Sequence, residues 1–148
     1  MFVRSLTSLT ALLALTACST VIDDTVGFVE ATYDAELNGA SVVGAGDTDG
    51  AAVPQVTITR DVDAVCYDVW NVRKIDVATG AHIHRGLVGQ NGPVVAALER
   101  AEGQGWNGCI EKTGLADEIV TSGPQQFYVQ IHTSDYPNGA IRGQLRVD

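Results

Sequence analysis

A chain of 148 residues has room for one domain with a real core and little for a second. Its 18 acidic against 9 basic residues give a formal charge of −9. A surface of that sign does not hold nucleic acid or an anionic membrane through its general field.

The first twenty residues, MFVRSLTSLTALLALTACST, carry one positive charge at Arg4, an apolar run from Leu9 to Leu15, and the ending Leu15-Thr16-Ala17-Cys18. This is the layout of a secretory signal over residues 1–17, with an apolar core too short to span a bilayer as a mature helix. The ending resembles the bacterial lipobox, which implies that Cys18 is diacylated and becomes the new N-terminus. The alternative is an ordinary signal peptide with a coincidental cysteine. Several acyl chains on one residue exceed the single-chain limit for reversible binding, so the implied anchor is stable. Ser19, where an aspartate would alter sorting, points in a Gram-negative cell to the outer membrane. The expected location is therefore the cell envelope, facing the periplasm or the cell surface. Loss of Arg4 with the signal makes the formal charge one unit more negative.

Residues 18–27 read as a lipidated tether and 28–148 as the domain. From there the pattern is of strands broken by turn residues, with no long stretch of helical period. FVEATYDAEL alternates and runs into Asn38-Gly39. ASVVGAGDTDGAAVP is rich in glycine and aspartate and reads as loop. QVTITRD and AVCYDVWNV are strands, with a turn at Asp61-Val62-Asp63. ATGAHIHRG and GPVVAALE flank the loop LVGQN. GWNGCIEKTG starts a strand near Cys109, and LADEIVTSG reads as one helical turn or a loop. QQFYVQIHT and GAIRGQLRV form a closing pair around SDYPN. Seven to nine short strands predict an antiparallel sandwich or barrel.

With Cys18 lipidated, Cys66 and Cys109 remain, an even number in an oxidising compartment. A bridge between them closes a loop of roughly 44 residues, worth about 4 kcal/mol of chain entropy before any native strain is subtracted. Two separate buried thiols are the alternative.

The three histidines of the chain fall into two similar stretches: TGAHIHRGLVGQNGPVV and FYVQIHTSDYPNGAIRGQL. On a strand, residues two apart share a face, so His82 and His84 point the same way and Ile83 the other. In the second strand Tyr128, Gln130 and His132 share a face opposite Val129 and Ile131. The apolar residues seek the core, so the histidines look outward. Three imidazoles on two strands suit copper or zinc and leave a coordination position open. Surface histidines that happen to cluster are the alternative.

AELNGA, DAVCYDVWNV, GAHIHRGLVGQNGPVVAAL, GWNGCI and YVQIHTSDYPNGAIRGQL together resemble the CHRD domain, named from chordin. The family is defined by sequence more than by a known biochemical role; the resemblance implies an all-β sandwich with the histidines at hallmark positions. A fainter likeness is to copper-zinc superoxide dismutase, whose Greek-key barrel carries a Gly-x-His-x-His strand and a late strand with a further copper histidine. Gly80 to His84 and Val129 to His132 match those elements, and Arg142 in GAIRG falls where that family has a functional arginine. This likeness tilts the expected metal toward copper, with zinc as the second choice. There is no fourth, bridging histidine and no second set of zinc ligands. The expected fold is thus an all-β, antiparallel Greek-key sandwich or barrel, superoxide dismutase-like or immunoglobulin-like. The favoured reading is a nonenzymatic copper-binding protein. An interaction module without metal and a copper-only dismutase are the alternatives, and any protein partner is unidentified.

Around that site, Tyr136 either packs over the metal or braces its turn, with bracing favoured. Arg85 is read as a partner of surface carboxylates, and Arg142 equally as such a partner or as an attractor of anions. Asp47 and Asp49 read as a solvated turn rather than a calcium loop. GLVGQNGP precedes no helix and is a poor phosphate cradle. No Ser/His/Asp set is identifiable.

Overall fold

The structure, a computed structural model, describes residues 30–102 and 105–147. The signal segment, Cys18 and the tether lie outside the described residues. Among the described residues nine strands and one α-helix follow in order: β1 (Glu30–Asp34), β2 (Leu37–Asn38), β3 (Ala51–Thr59), β4 (Ala64–Arg73), β5 (Ala78–Arg85), β6 (Val94–Ala97), β7 (Trp106–Glu111), α1 (Leu115–Ser122), β8 (Phe127–Thr133) and β9 (Ile141–Gln144).

All the strand pairings are antiparallel. The strand order is β6-β5-β8-β9-β2-β3-β4-β7, with β1 also paired to β3. The two ends of that path, β6 and β7, follow one another in the chain, and a bridge between Arg100 and Trp106 draws them together. The sheet is therefore a nearly closed barrel, and the β5–β8 and β2–β9 pairings join strands distant in sequence, as Greek-key connections do. The expected all-β architecture is the one observed.

Period-two patterning builds the core. Val56 and Ile58 of β3, Val65, Tyr67 and Val69 of β4, Ala81 and Ile83 of β5, and Phe127, Val129 and Ile131 of β8 all meet inside the barrel. Helix α1 adds Leu115, Ala116 and Ile119 to the same cluster. Cys66 and Cys109 are directly opposed on β4 and β7 and form the expected disulfide.

Three elements differ from the sequence reading. The first predicted strand is interrupted at Ala35 and Glu36, and both pieces, β1 and β2, pair with β3. Strand β3 starts at Ala51 rather than Gln55, taking in Pro54. A proline is tolerated there because residues 51–52 pair with β2 and 55–59 with β1, so Pro54 sits at the handover where a ladder donor is not required. LADEIVTS forms an eight-residue α-helix. It is held from outside by Asp63, in the left-handed region at φ 47°, whose carboxylate accepts from the backbone N–H groups of Gly114 and Ala116 at 2.6 and 3.3 Å. A carboxylate at a helix start meets both the free N–H groups and the helix dipole.

Candidate metal centre

The three histidines come together. His82 and His84 lie on β5, and His132 lies on β8, opposite Gly80 in the strand register. Their ring centroids are 5.0 to 5.9 Å apart. One nitrogen from each ring lies within 4.8 Å of the others. Among the described residues this is the group of three or more His, Cys, Asp or Glu side chains placed to hold one ion. Gly80 lies against the His82 ring, where a Cβ would stand 3.4 Å away in ordinary contact.

Three ring atoms are buried without a hydrogen-bond partner: His82 Nδ1, His84 Nε2 and His132 Nε2. The other nitrogens of two rings are committed. His84 Nδ1 lies 3.0 Å from the Gly92 carbonyl oxygen, and His132 Nδ1 lies 3.0 Å from that of Pro137. A carbonyl only accepts, so each of these Nδ1 atoms carries the proton and each Nε2 presents a bare lone pair. A backbone carbonyl behind a ligating imidazole is the usual way that a metal site fixes tautomer and ring orientation. A buried acceptor without a donor costs about 1–3 kcal/mol. A bound cation would satisfy all three at once, so the residues present fit a metal ion.

Electrostatics favours the neutral, ligating form. Burial first, and then the neighbouring His132 and His84, lower the pKa of His82 from its ordinary 6.5. Burial likewise lowers His84, helped by His132 and Arg142 and partly opposed by the Gly92 hydrogen bond.

The expectation of an outward face holds for strand parity, since Ile83, Val129 and Ile131 point into the core. For solvent it holds in part: His82 and His132 stay half-buried, while His84 and the rest of the face are covered. His84 is 7% exposed, Tyr128 1%, Gln130 2% and Arg142 1%. Connecting segments cover this side of the barrel. Gly92, near the end of the β5–β6 loop, donates its N–H to the Tyr128 hydroxyl at 3.1 Å while its carbonyl faces His84. A Cβ on Gly92 would run into the Arg85 carbonyl, which makes glycine obligatory there. Across the site, Gln130 Nε2 donates to the Asn138 carbonyl at 2.5 Å.

Arg142 is neither an exposed charge nor a carboxylate's partner. Its guanidinium donates to the carbonyls of Gln90 and Leu87 at 2.8 and 2.9 Å and lies 3.5 Å from the Tyr128 ring centroid. Burial lowers its pKa from the ordinary value, and Tyr128 opposes the shift. Arg85 pairs with Glu118 on α1. Tyr136 braces its turn through its backbone, accepting from Thr133 and Gly139 and donating to the Thr133 hydroxyl. Tyr136 borders a hollow shared with Val43, Gly44 and Ala45. Asp47 accepts from the Asp49 N–H, the closed turn expected of that segment. The aromatic ring on the centre is instead Tyr128, stacked on His84 at 4.8 Å and 9°. Sequence reasoning placed Tyr128 on the histidine face without giving it a role; its parity with His132 was the available signal.

Fold and site together define an all-β barrel with a three-imidazole centre on its outer face. The chain belongs to the CHRD domain family, whose profile matches residues 33–145. No curated protein and no solved structure matches the chain.

Proposed function

We propose that this CHRD-domain protein is a lipid-anchored, copper-binding protein of the cell envelope. His82 Nδ1, His84 Nε2 and His132 Nε2 hold the ion. The observation that carries the reading is the convergence of three buried imidazole nitrogens without hydrogen-bond partners, two of them left bare by tautomers that backbone carbonyls set. Imidazole ligands suit both copper and zinc, and the ordinary affinity order of divalent metals places copper above zinc. A copper ion held by three imidazoles would have room for a further ligand and could take either of two oxidation states. The residues around it supply geometry and exclusion: Gly92 and Pro137 orient two rings, and Tyr128 shields one face of His84.

A metal-free interaction module is the second reading, supported by the same two hydrogen bonds, which also brace the β5–β6 and β8–β9 connections. It offers no partner for the three unpaired nitrogens. A dismutase role gains nothing from Arg142, whose buried guanidinium is occupied by loop carbonyls. The lipobox-like ending at Cys18 supports the anchor, and Ser19 supports the outer membrane.

Acyl-free protein should take up about one equivalent of Cu(II), measured by elemental analysis after desalting. The His82→Ala/His84→Ala/His132→Ala variant should take up none, and stoichiometric uptake surviving in it would rule out this site. Cys18→Ala should move the protein from the membrane to the soluble fraction; a membrane fraction unchanged by that substitution would remove the anchor.

A further inference from the structure

We propose that Arg142 is a positioning residue for the histidine centre: by holding down the β5–β6 loop it fixes His84 in the tautomer that presents Nε2. The proposal rests on the metal-binding reading for its purpose, but its first readout needs no metal.

Arg142 lies on β9, with β8 between it and the β5 strand that carries His84. It acts through the loop of residues 86–93. Its two terminal nitrogens reach Gln90 and Leu87, the carbonyls at either end of one turn, which is itself closed by Gln90 N–H to Leu87 at 3.0 Å. Gln144, also on β9, donates to the Gly86 carbonyl at 2.7 Å. The start and middle of the loop are thereby tied to β9. Near its end, Gly92 has its N–H on Tyr128 and its carbonyl on His84 Nδ1, and the Pro93 carbonyl accepts from the Arg85 N–H at 3.0 Å.

The alternative use for a buried arginine is charge pairing, and among the described residues Arg142 makes no salt bridge. A buried cation without a carboxylate is costly. Here the cost is met by two carbonyl oxygens of one loop, by the Gln144 side-chain oxygen at 3.3 Å and by the face of Tyr128. Two donors in a fixed fork match two carbonyls, a geometry that a lysine ammonium does not reproduce. A neutral imidazole carries one proton, so whichever nitrogen finds an acceptor decides which is left to bind a metal. With the loop released, Gly92 no longer enforces that choice.

The test is nitrogen NMR of the histidine rings in metal-free protein at mildly alkaline pH. In the wild type His84 and His132 should both show the Nδ1–H tautomer. In Arg142→Gln, His84 should shift toward Nε2–H while His132, held by Pro137, stays unchanged and reports an intact fold. Arg142→Lys should behave like Arg142→Gln, because it restores the charge without the fork. Copper affinity of both variants should fall about 10- to 100-fold, the usual cost of losing a group that orients a ligand, with a changed electron paramagnetic resonance spectrum. If Arg142→Gln does not fold, Gly89→Val takes its place. Gly89 has φ +76° with open space around it, so a β-branched residue strains the same turn from the solvent side. The same shift at His84 would support the proposal. His84 keeping Nδ1–H in the variant that folds, or Arg142→Lys matching wild type, would overturn it. Wild-type protein that takes up no copper would defeat the metal reading alone and leave the tautomer result to decide this one.

Discussion

Removing the disulfide measures how far the scaffold and the site are independent. Cys66 and Cys109 are 43 residues apart and directly opposed across β4 and β7, so the bridge closes a long loop without spanning the barrel. The chain-entropy relation gives about 4 kcal/mol for a loop of that length. For a domain of roughly 120 residues, the entropy of unfolding is about 250 cal/mol/K, so the midpoint should fall by about 15 °C. The Cys66→Ala/Cys109→Ala variant, compared with wild type by thermal circular dichroism without reductant, checks this. The bridge ties the β4–β7 end of the strand order, whereas the histidines sit on β5 and β8 toward the other end. Copper stoichiometry at a temperature where the variant is folded should therefore be unchanged. A midpoint shift under about 3 °C, or lost copper uptake in the folded variant, would refute the reasoning.

Three further outcomes follow from particular contacts. Asp63→Ala leaves the first N–H groups of α1 without their acceptor and should cost about 1–2 kcal/mol by urea denaturation; a change within error would mean that solvent replaces the carboxylate freely. Gly92→Ala drives a methyl group against the Arg85 carbonyl and should cost about 1–3 kcal/mol, with weakened copper uptake; wild-type stability and affinity would contradict the close approach. For pH, His82 and His84 titrate below 6.5 when folded, so near and below pH 6.5 the unfolded chain binds protons that the folded one resists. Metal-free stability should therefore fall as pH drops from 6.5 toward the lowered folded values. The His82→Ala/His84→Ala variant should lose that dependence in urea melts, and a wild-type slope retained in it would place the titration elsewhere.

The strands and the shared histidine face were legible because both depend on local parity, and Ile83, Val129 and Ile131 marked the inner face plainly. The disulfide was legible by counting. Helix α1 was half visible: Leu115 and Ile119 stand four apart, acidic Asp117 and Glu118 fall in the first turn, and Gly123 follows its end. Eight residues are too few for the period to declare itself, and its cap, Asp63, lies 51 residues upstream of Gly114. The cover over the histidine face was not legible at all. It depends on Arg142 reaching back 52 and 55 residues to Gln90 and Leu87, and no local pattern encodes such a pairing. The same holds for which nitrogen His84 and His132 present, since that is decided by Gly92 and Pro137 only once the loops have closed.

The central claim, a metal centre at His82, His84 and His132, is tested most directly by one set of thermal melts of acyl-free protein with copper, with zinc and with chelator. A ligand that binds only the folded state at 100 times its dissociation constant adds about 2.7 kcal/mol. At about 4 °C per kcal/mol for a domain of this size, the midpoint should rise by roughly 10 °C. The midpoint should show that rise with copper, a smaller one with zinc at equal concentration, reversal by chelator, and no response in the triple alanine variant. A wild-type midpoint indifferent to copper, zinc and chelator alike would contradict the claim.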